Sequence, residues 1–279
     1  MLRCLHLNLD DAWPSGTAGL TTHDARHLGP QMRFSAPSSL IEGFFRDQAA
    51  ALAPFILYGS GDFHHLSALW IRKITEPLVV VSFDNHPDWD IRPPKWCCGG
   101  WVNRALELPH VQKVSVWGCG NFECWWPGQA FGNRRAERAG RLDVHAWADD
   151  RPVNKQKRRG AIFRASWRDQ FERFVAELAG ANVYITIDLD CLVAAEAVTN
   201  WENGRFTADD LVWAIGLLRS RAQLVGGDIC GAYSEQKYAR RGQAFIARID
   251  HPKLSPREPA AARALNLRTL DKLLRALAD

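Results

Sequence analysis

Three residues that commonly bind metal ions follow directly after a predicted strand. The strand, 79–83, is an apolar and mostly β-branched run, and Asp84, His86 and Asp88 come after it. Four residues of extended chain span roughly 13 Å, whereas two neighbouring ions with their ligand bonds occupy only about 8 Å. If all three residues bind metal, the chain must therefore turn after Asp84, and Pro87 suits such a turn. The alternative is that Asp84 caps the next segment and His86 is an ordinary loop residue.

A second predicted strand also ends in carboxylates. Residues 183–187 form an apolar run that is followed by Asp188 and Asp190. In an extended chain these two side chains point to the same side, roughly 7 Å apart, which fits two neighbouring ions better than one. Like charges at the end of a buried strand repel each other unless a cation joins them. The alternative is that the two aspartates are helix caps or a structural carboxylate pair. It is less favoured when this motif and the one after strand 79–83 are considered together.

A glycine-rich turn supplies a third source of ligands. A short predicted strand, 55–58, is followed by the sequence G-S-G-D-F-H-H and then by an apolar helical run, 68–74. The glycines permit a tight connection from strand to helix. Either His64 or His65 would lie at the head of that helix, where a lone histidine is most often structural. Beside two carboxylate motifs at other strand ends, it becomes a candidate ligand.

In this order the motifs G-x-G-D-x-H-H, D-x-H-x-D and D-x-D resemble those of the arginase and agmatinase (ureohydrolase) family. The resemblance spans roughly residues 55–228. It implies an α/β fold, a three-layer α/β/α sandwich with a mainly parallel central sheet, and we see no linker that would divide residues 1–279 into two domains. The implied metal ligands are His64, Asp84, His86, Asp88, Asp188 and Asp190, with His65 as the alternative to His64.

The implied ligand set also predicts the cofactor and the chemistry. Four carboxylates and two neutral imidazoles carry a charge of about −4, which offsets two divalent cations. Oxygen and nitrogen ligands suit manganese, which we expect first, or zinc, iron or cobalt, better than calcium. The resemblance implies hydrolysis of a C–N bond in an amidine or amide by a metal-bridging hydroxide. It also implies a small-molecule substrate, and a homo-oligomer as in many members of the family.

Two residues of the family pattern are absent from this sequence. The family has a G-N-x-H-G segment whose histidine shuttles protons, and here Trp101 falls near its place. The family also has G-x-D-x-x-E, whose glutamate binds the guanidinium group, and here Asp228 is kept but Gly231 replaces the glutamate. The candidate substrate-binding residues are then His65, Trp101 and Asp228, and the candidate catalytic residues, as proton relays, are Asp90 and Glu235.

Two other functions are consistent with the same motifs. A zinc-dependent deacylase of the histone-deacetylase type shares the general fold; there Tyr233 would bind the oxyanion and His64–His65 would form the paired histidines of such enzymes. A catalytically inactive scaffold that has lost the shuttle histidine and the glutamate is the other alternative. The retained metal ligands argue against the scaffold.

Composition narrows the class of protein. With 24% charged residues, the chain resembles an ordinary soluble protein, and its net charge of +4 is too dispersed to predict nucleic-acid binding. No apolar run is long enough to cross a membrane, and the N-terminus lacks the apolar core of a signal peptide. The seven cysteines are scattered and odd in number, which predicts reduced thiols and a cytoplasmic protein.

Overall fold

The computed structural model describes residues 3–255 and 257–278, and its centre is a parallel sheet of nine strands. The strands are β1 (Cys4–Asn8), β2 (Thr21–Asp24), β3 (Phe55–Leu57), β4 (Leu78–Phe83), β5 (Val111–Cys119), β6 (Leu142–Trp147), β7 (Ala161–Ile162), β8 (Asn182–Asp188) and β9 (Gln223–Cys230). Their order in the sheet is β2-β1-β3-β9-β8-β4-β5-β6-β7, and every neighbouring pair is parallel.

Helices connect the strands and cover the sheet. The α-helices of the described residues are α1 (Gly29–Met32), α2 (Ser38–Gln48), α3 (Ser67–Ile71), α4 (Trp101–Leu106), α5 (Arg134–Arg138), α6 (Val153–Gln156), α7 (Trp167–Glu177), α8 (Ala208–Arg221), α9 (Arg241–Asp250) and α10 (Pro259–Ala278). Short 3-10 helices follow β3, at Gly61–Leu66, and β8, at Leu189–Cys191.

Each face of the sheet packs against its own layer of helices. Helices α2, α3 and α4 share an apolar cluster with one face, in which Phe44 and Val80 are both buried. Helices α7, α8 and α10 share a second cluster with the other face, which contains Val81, Phe171 and Leu273. Successive strand residues point to opposite faces, so a strand buried on both sides is almost entirely apolar, as β4 is apart from Ser82. This arrangement confirms the expected α/β/α sandwich around a parallel sheet.

The strands that carry the three motifs are neighbours at the centre of the sheet. Strands β3, β9, β8 and β4 are adjacent, and they end within one residue of each other, with Leu57 opposite Ile229 and Phe83 opposite Ile187. Because parallel strands all end at the same edge, the residues that follow them meet there. The topology therefore places the three motifs at one edge of the sheet.

The structure bears on the expected lack of membrane-spanning helices and on the state of the cysteines. Among the helices within 3–255 and 257–278, none is long and apolar enough to cross a membrane. All seven cysteines are free thiols, as expected from their scattered positions. The cytoplasmic location and the single domain over residues 1–279 stay predictions.

Candidate metal centre

The chain turns sharply after β4. Asp84 Oδ1 accepts a hydrogen bond of 2.7 Å from the backbone N–H of His86, and Asp88 adopts a left-handed conformation with φ of 44°. This turn places carboxylate oxygens of Asp84 and Asp88 each 3.2 Å from Nδ1 of His64. Asp84 thus caps the turn with one oxygen and faces His64 with the other. The chain makes the turn that metal binding by all three residues of this motif requires.

The end of β8 also curls. Asp188 Oδ1 accepts a hydrogen bond of 3.0 Å from the backbone N–H of Asp190 and so caps the 3-10 helix Leu189–Cys191, in place of the extended geometry that we expected. Both side chains still face the other motifs. Asp188 Oδ2 lies 3.5 Å from Nδ1 of His64, and Asp190 Oδ2 lies 2.8 Å from Nδ1 of His86. Asp188 therefore acts as a cap with one oxygen and directs the other, which also accepts a hydrogen bond from the Cys230 thiol, at the neighbouring histidine.

Together these residues form what we call the ligand cluster: His64, Asp84, His86, Asp88, Asp188 and Asp190. Within it, two overlapping groups have ligand atoms that all lie within 4.8 Å of one another, namely His64, Asp84 and Asp188, and Asp84, His86 and Asp190. Asp88 borders the first group through its contact with His64. Every member is at most 8% exposed. The structure thus brings together all six residues that the motifs suggested, and His64, not His65, contacts the carboxylates of the ligand cluster.

The electrostatics of the ligand cluster fit bound cations. His64 Nδ1 and Asp84 Oδ2 are buried and have no hydrogen-bond partner among the described residues. Burial, together with the charge of Asp190, raises the pKa of Asp188 to about 7. Burial, together with the charge of Asp84, raises the pKa of Asp190 to about 6. Divalent ions would satisfy the unpaired atoms and remove the repulsion among the carboxylates, so this donor set fits a pair of such ions.

A chain of hydrogen bonds behind the ligand cluster orients His64. Its Nε2 lies 3.0 Å from the Thr186 hydroxyl, which donates to Asp228 Oδ1 at 2.7 Å. The Thr186 oxygen is then free to accept the Nε2 proton, which leaves Nδ1 with a lone pair for a metal ion. Asp228 also accepts hydrogen bonds from Tyr184, at 2.6 Å, and Tyr58, at 3.3 Å. Asp228 is therefore a buried support for the ligand cluster, and the substrate-binding role that we expected for it is corrected.

We expect Thr186→Val to weaken metal binding by roughly 10- to 100-fold, because the lost hydroxyl removes the acceptor of the His64 N–H and one of the hydrogen bonds to the Asp228 carboxylate. Isothermal titration of the metal-free protein with Mn²⁺ measures this effect. Thr186→Ser keeps the hydroxyl and is the matched control, with near wild-type affinity. An unchanged affinity in the valine variant would show that the hydrogen-bond chain has no influence on the metal.

Five of the six residues of the ligand cluster, all except His64, line a solvent-open cleft of about 550 Å³. Beyond the cluster, the lining residues that matter here are Cys98, Phe122, Glu123, Trp201, Glu202 and Asp250. Three of them are acidic, and no lysine or arginine of the described chain lines the cleft. Burial raises the pKa of Glu123 to about 7. Glu202 and Asp250 belong to no motif, so sequence reasoning missed them.

Neither expected proton relay lies in this cleft. Glu235 is 79% exposed, pairs with Lys237 at 2.9 Å, and borders a separate cavity. The Asp90 carboxylate points away towards Arg92, whose Nε donates to it at 2.9 Å. The structure therefore corrects both catalytic assignments: each carboxylate is occupied by a neighbouring base outside the cleft.

Two expected substrate-binding residues are packing residues instead. His65 is fully buried, and burial lowers its pKa to about 3. Trp101 is also fully buried, and its ring packs against that of His64 with centroids 4.8 Å apart. Neither side chain lines the cleft, so neither would contact a substrate there. The tryptophan near the place of the family's shuttle histidine supports a ligand ring from behind.

Only glycine fits at position 231, where the family has its guanidinium-binding glutamate. Gly231 has φ of +94°, and a Cβ built on it would lie 2.1 Å from Oδ1 of Asp188. A side chain there would displace a member of the ligand cluster. The missing glutamate thus has a structural cause, and the cleft obtains its acidic side chains from Glu123, Glu202 and Asp250.

Comparison with known proteins places the fold. No protein-family model matches the chain. An uncharacterized protein from Thermotoga maritima is 30% identical over 175 residues, which cover 62% of this chain and only 55% of that protein, about half of its length. An arginase from Bacillus subtilis has a TM-score of 0.56, 11% identity, and 98% of both chains covered. A manganese-containing formiminoglutamase variant from Trypanosoma cruzi has a TM-score of 0.54 and 16% identity, with 99% of this chain and 93% of that one covered. At such identities the likeness establishes a shared fold.

Proposed function

We propose that this protein of the arginase fold is a ureohydrolase-like, divalent-metal-dependent enzyme that hydrolyses a C–N bond of an amidine or guanidine. The observation that carries the proposal is the convergence of the six residues of the ligand cluster from three strand ends, with five of them lining an open cleft and His64 in contact with their carboxylates. Buried carboxylates without a counter-ion are costly, and they occur most often where a metal or catalysis requires them.

The ligand cluster would hold two ions. His64, Asp84, Asp88 and Asp188 would bind the first, and Asp84, His86 and Asp190 the second, so that Asp84 is shared. Manganese is the first choice for these oxygen and nitrogen ligands, with zinc, iron and cobalt as alternatives. When bound, such a pair of ions supplies Lewis acidity that lowers the pKa of water and polarises the group under attack.

The charge of the cleft favours a cationic substrate. Two divalent ions would offset the four carboxylates of the ligand cluster, but Glu202 and Asp250 add further acidic groups to the lining, as does Glu123, which is about half ionised near pH 7 because its pKa is raised to about 7. Trp201 adds an aromatic wall, which suits a planar cation. A protonated amidine or guanidine matches this lining, whereas the described lining offers no lysine or arginine for a substrate carboxylate. The lining of the cleft therefore favours an amidine or guanidine substrate over a neutral amide.

The structure offers less to the deacylase alternative. Tyr233, which would have bound the oxyanion, lines a different cavity with Thr199 and Asn200. His65, which would have completed a histidine pair with His64, is buried, and among the described residues its ring makes none of the carboxylate contacts that His64 makes. No observation favours the inactive scaffold, since the whole ligand cluster is retained.

A substrate panel with metal-loaded protein tests the proposal. The protein is loaded with Mn²⁺, its metal content is measured by elemental analysis, and release of urea or ammonia is followed with agmatine, arginine, formimidoylglutamate and an acylated diamine. We expect turnover of the cationic guanidine without a carboxylate, agmatine, in preference to the others. Protein that contains two ions per chain and hydrolyses no amidine or guanidine would contradict the proposal, and hydrolysis of the acylated diamine alone would favour the deacylase.

A further inference from the structure

A buried network of charged residues beside the cleft is neutral only if His251 is protonated. Arg33, 1% exposed, lies 2.9 Å from Asp10 Oδ2 and 3.2 Å from Asp62 Oδ2. His251 Nε2 lies 2.7 Å from the other oxygen of Asp62. Two carboxylates and one guanidinium sum to a charge of −1, and an imidazolium brings the sum to zero. Because an uncompensated buried charge is costly, the network favours the charged form of His251.

The hydrogen bonds of the His251 ring lead to the same protonation state. Nε2 faces the Asp62 carboxylate at 2.7 Å, and Nδ1 faces the backbone carbonyl of Ala247 at 2.6 Å. An ionised carboxylate and a carbonyl can only accept, so both ring nitrogens must donate, and a neutral imidazole has only one N–H. Burial by itself would lower the pKa of His251, but the charge of Asp62 outweighs it and raises that pKa above its ordinary value.

The His251 ring connects two parts of the cleft wall. It stacks on Trp201, with centroids 4.3 Å apart and planes 28° apart, and the Trp201 indole N–H donates to Asp62 at 3.2 Å. Trp201 lines the cleft and meets the ring of His86 edge-on, with centroids 5.2 Å apart. Asp250, the last residue of α9, immediately precedes His251 and also lines the cleft. One imidazolium thus ties Trp201 and the end of α9 to the turn that follows β3.

Charged groups face His251 from each element packed against it. Asp62 lies in the 3-10 helix after β3, Arg33 follows α1, Glu202 lies in the loop after β8, and Asp250 is on α9. Three of these are acidic and one is basic. The net negative charge of these four groups favours the imidazolium form of His251, and stacking on the indole face of Trp201 stabilises that cation further.

We propose that His251 is a positioning residue whose imidazolium holds Trp201 and Asp250 in the cleft wall, and that loss of its proton loosens this wall. The proposal rests on the proposed function only in taking the cleft as the substrate site. Because the pKa of His251 is higher in the folded than in the unfolded protein, the stabilisation is complete below the unfolded value of about 6.5 and is lost as pH rises through the folded value.

Hydrogen exchange of the Mn²⁺-loaded full chain, measured by mass spectrometry at about pH 6 and about pH 9 and corrected for intrinsic rates, tests this proposal. In the wild type, we expect protection of segments 199–203 and 241–251 to fall by roughly tenfold at the higher pH, while β8 is unchanged. His251→Gln should lack the extra protection at both pH values. His27→Gln, which changes an exposed histidine, is the matched control and should behave as the wild type.

A second measurement needs no variant. Ring ¹⁵N shifts of the wild-type protein at neutral pH should show both nitrogens of His251 protonated, and a neutral tautomer there would overturn the proposal. The same pH dependence in His251→Gln as in the wild type would also overturn it. Protein that shows the predicted exchange and carries two ions per chain, yet hydrolyses no amidine, would support the His251 proposal and contradict the proposed function alone.

Discussion

Replacing Asp84 by asparagine is expected to abolish the binding of both metal ions. Asp84 belongs to both ligand groups, so the loss of its charge weakens both. The asparagine side chain of this variant retains an oxygen that can cap the backbone N–H of His86, so the turn after β4 should survive. We expect metal affinity to fall by more than the ~100-fold that marks the loss of a supporting residue, and any amidine hydrolysis to fall to background. Elemental analysis after Mn²⁺ loading measures the metal content.

Two further variants serve as comparisons for the loss of metal in Asp84→Asn. Asp271→Asn removes a half-exposed carboxylate that pairs with Arg275 on α10, and it should leave two ions per chain. Asp88→Asn should affect the first ion more than the second, because Asp88 contacts His64 and borders only the first group. Two ions retained in Asp84→Asn would contradict the assignment of Asp84 as a ligand that both ions share.

The metal-free protein is expected to lose stability as pH rises from about 5 to about 8, and Mn²⁺ is expected to restore it. Burial opposes the charging of His64 and His86, but neighbouring carboxylates outweigh it and raise the pKa of each above its ordinary value. The pKa is raised to about 7 for Asp188 and to about 6 for Asp190. All four groups bind protons more tightly in the folded than in the unfolded state, so each contribution to stability falls with rising pH. Mn²⁺ at 100 times its Kd would add about 2.7 kcal/mol per site.

Thermal unfolding with a chelator and with Mn²⁺, across this pH range, measures both effects. His251 contributes a slope of the same sign, so the difference between metal-free and metal-loaded protein reports on the ligand cluster more directly than the total slope. The Asp84→Asn variant should show no response to Mn²⁺. Metal-free stability that rises with pH, or a wild type indifferent to the metal, would contradict the arrangement of buried acids and histidines described above.

The fold and the candidate ligands could be predicted from the sequence because their signals are local. Apolar runs such as 79–83 mark strands buried on both faces, and these lie within β4 and β8 as expected. Ligand residues that directly follow such strands must meet if the strands are parallel neighbours, since their carboxyl ends share one edge. The order of the motifs then suggested the arginase fold, and the strand topology confirmed it.

The roles around the ligand cluster depended on the tertiary structure. Asp228 keeps its place in the family motif, but its side chain points behind the cluster to Tyr184 and Thr186. That direction is set by the pleat and register of β9 against β8, which no residue pattern by itself reveals.

The residues that line the cleft could not be predicted from the sequence either. Glu202 and Asp250 lie in segments without a motif, and packing alone brings them to the ligand cluster. The contact between Asp62 and His251 joins residues 189 positions apart. Sequence motifs can identify candidate metal ligands, because metal coordination restricts the types of ligand residue and their spacing. Substrate contacts and charge networks accept many residue types from any element, so only the packed chain decides which ones are present.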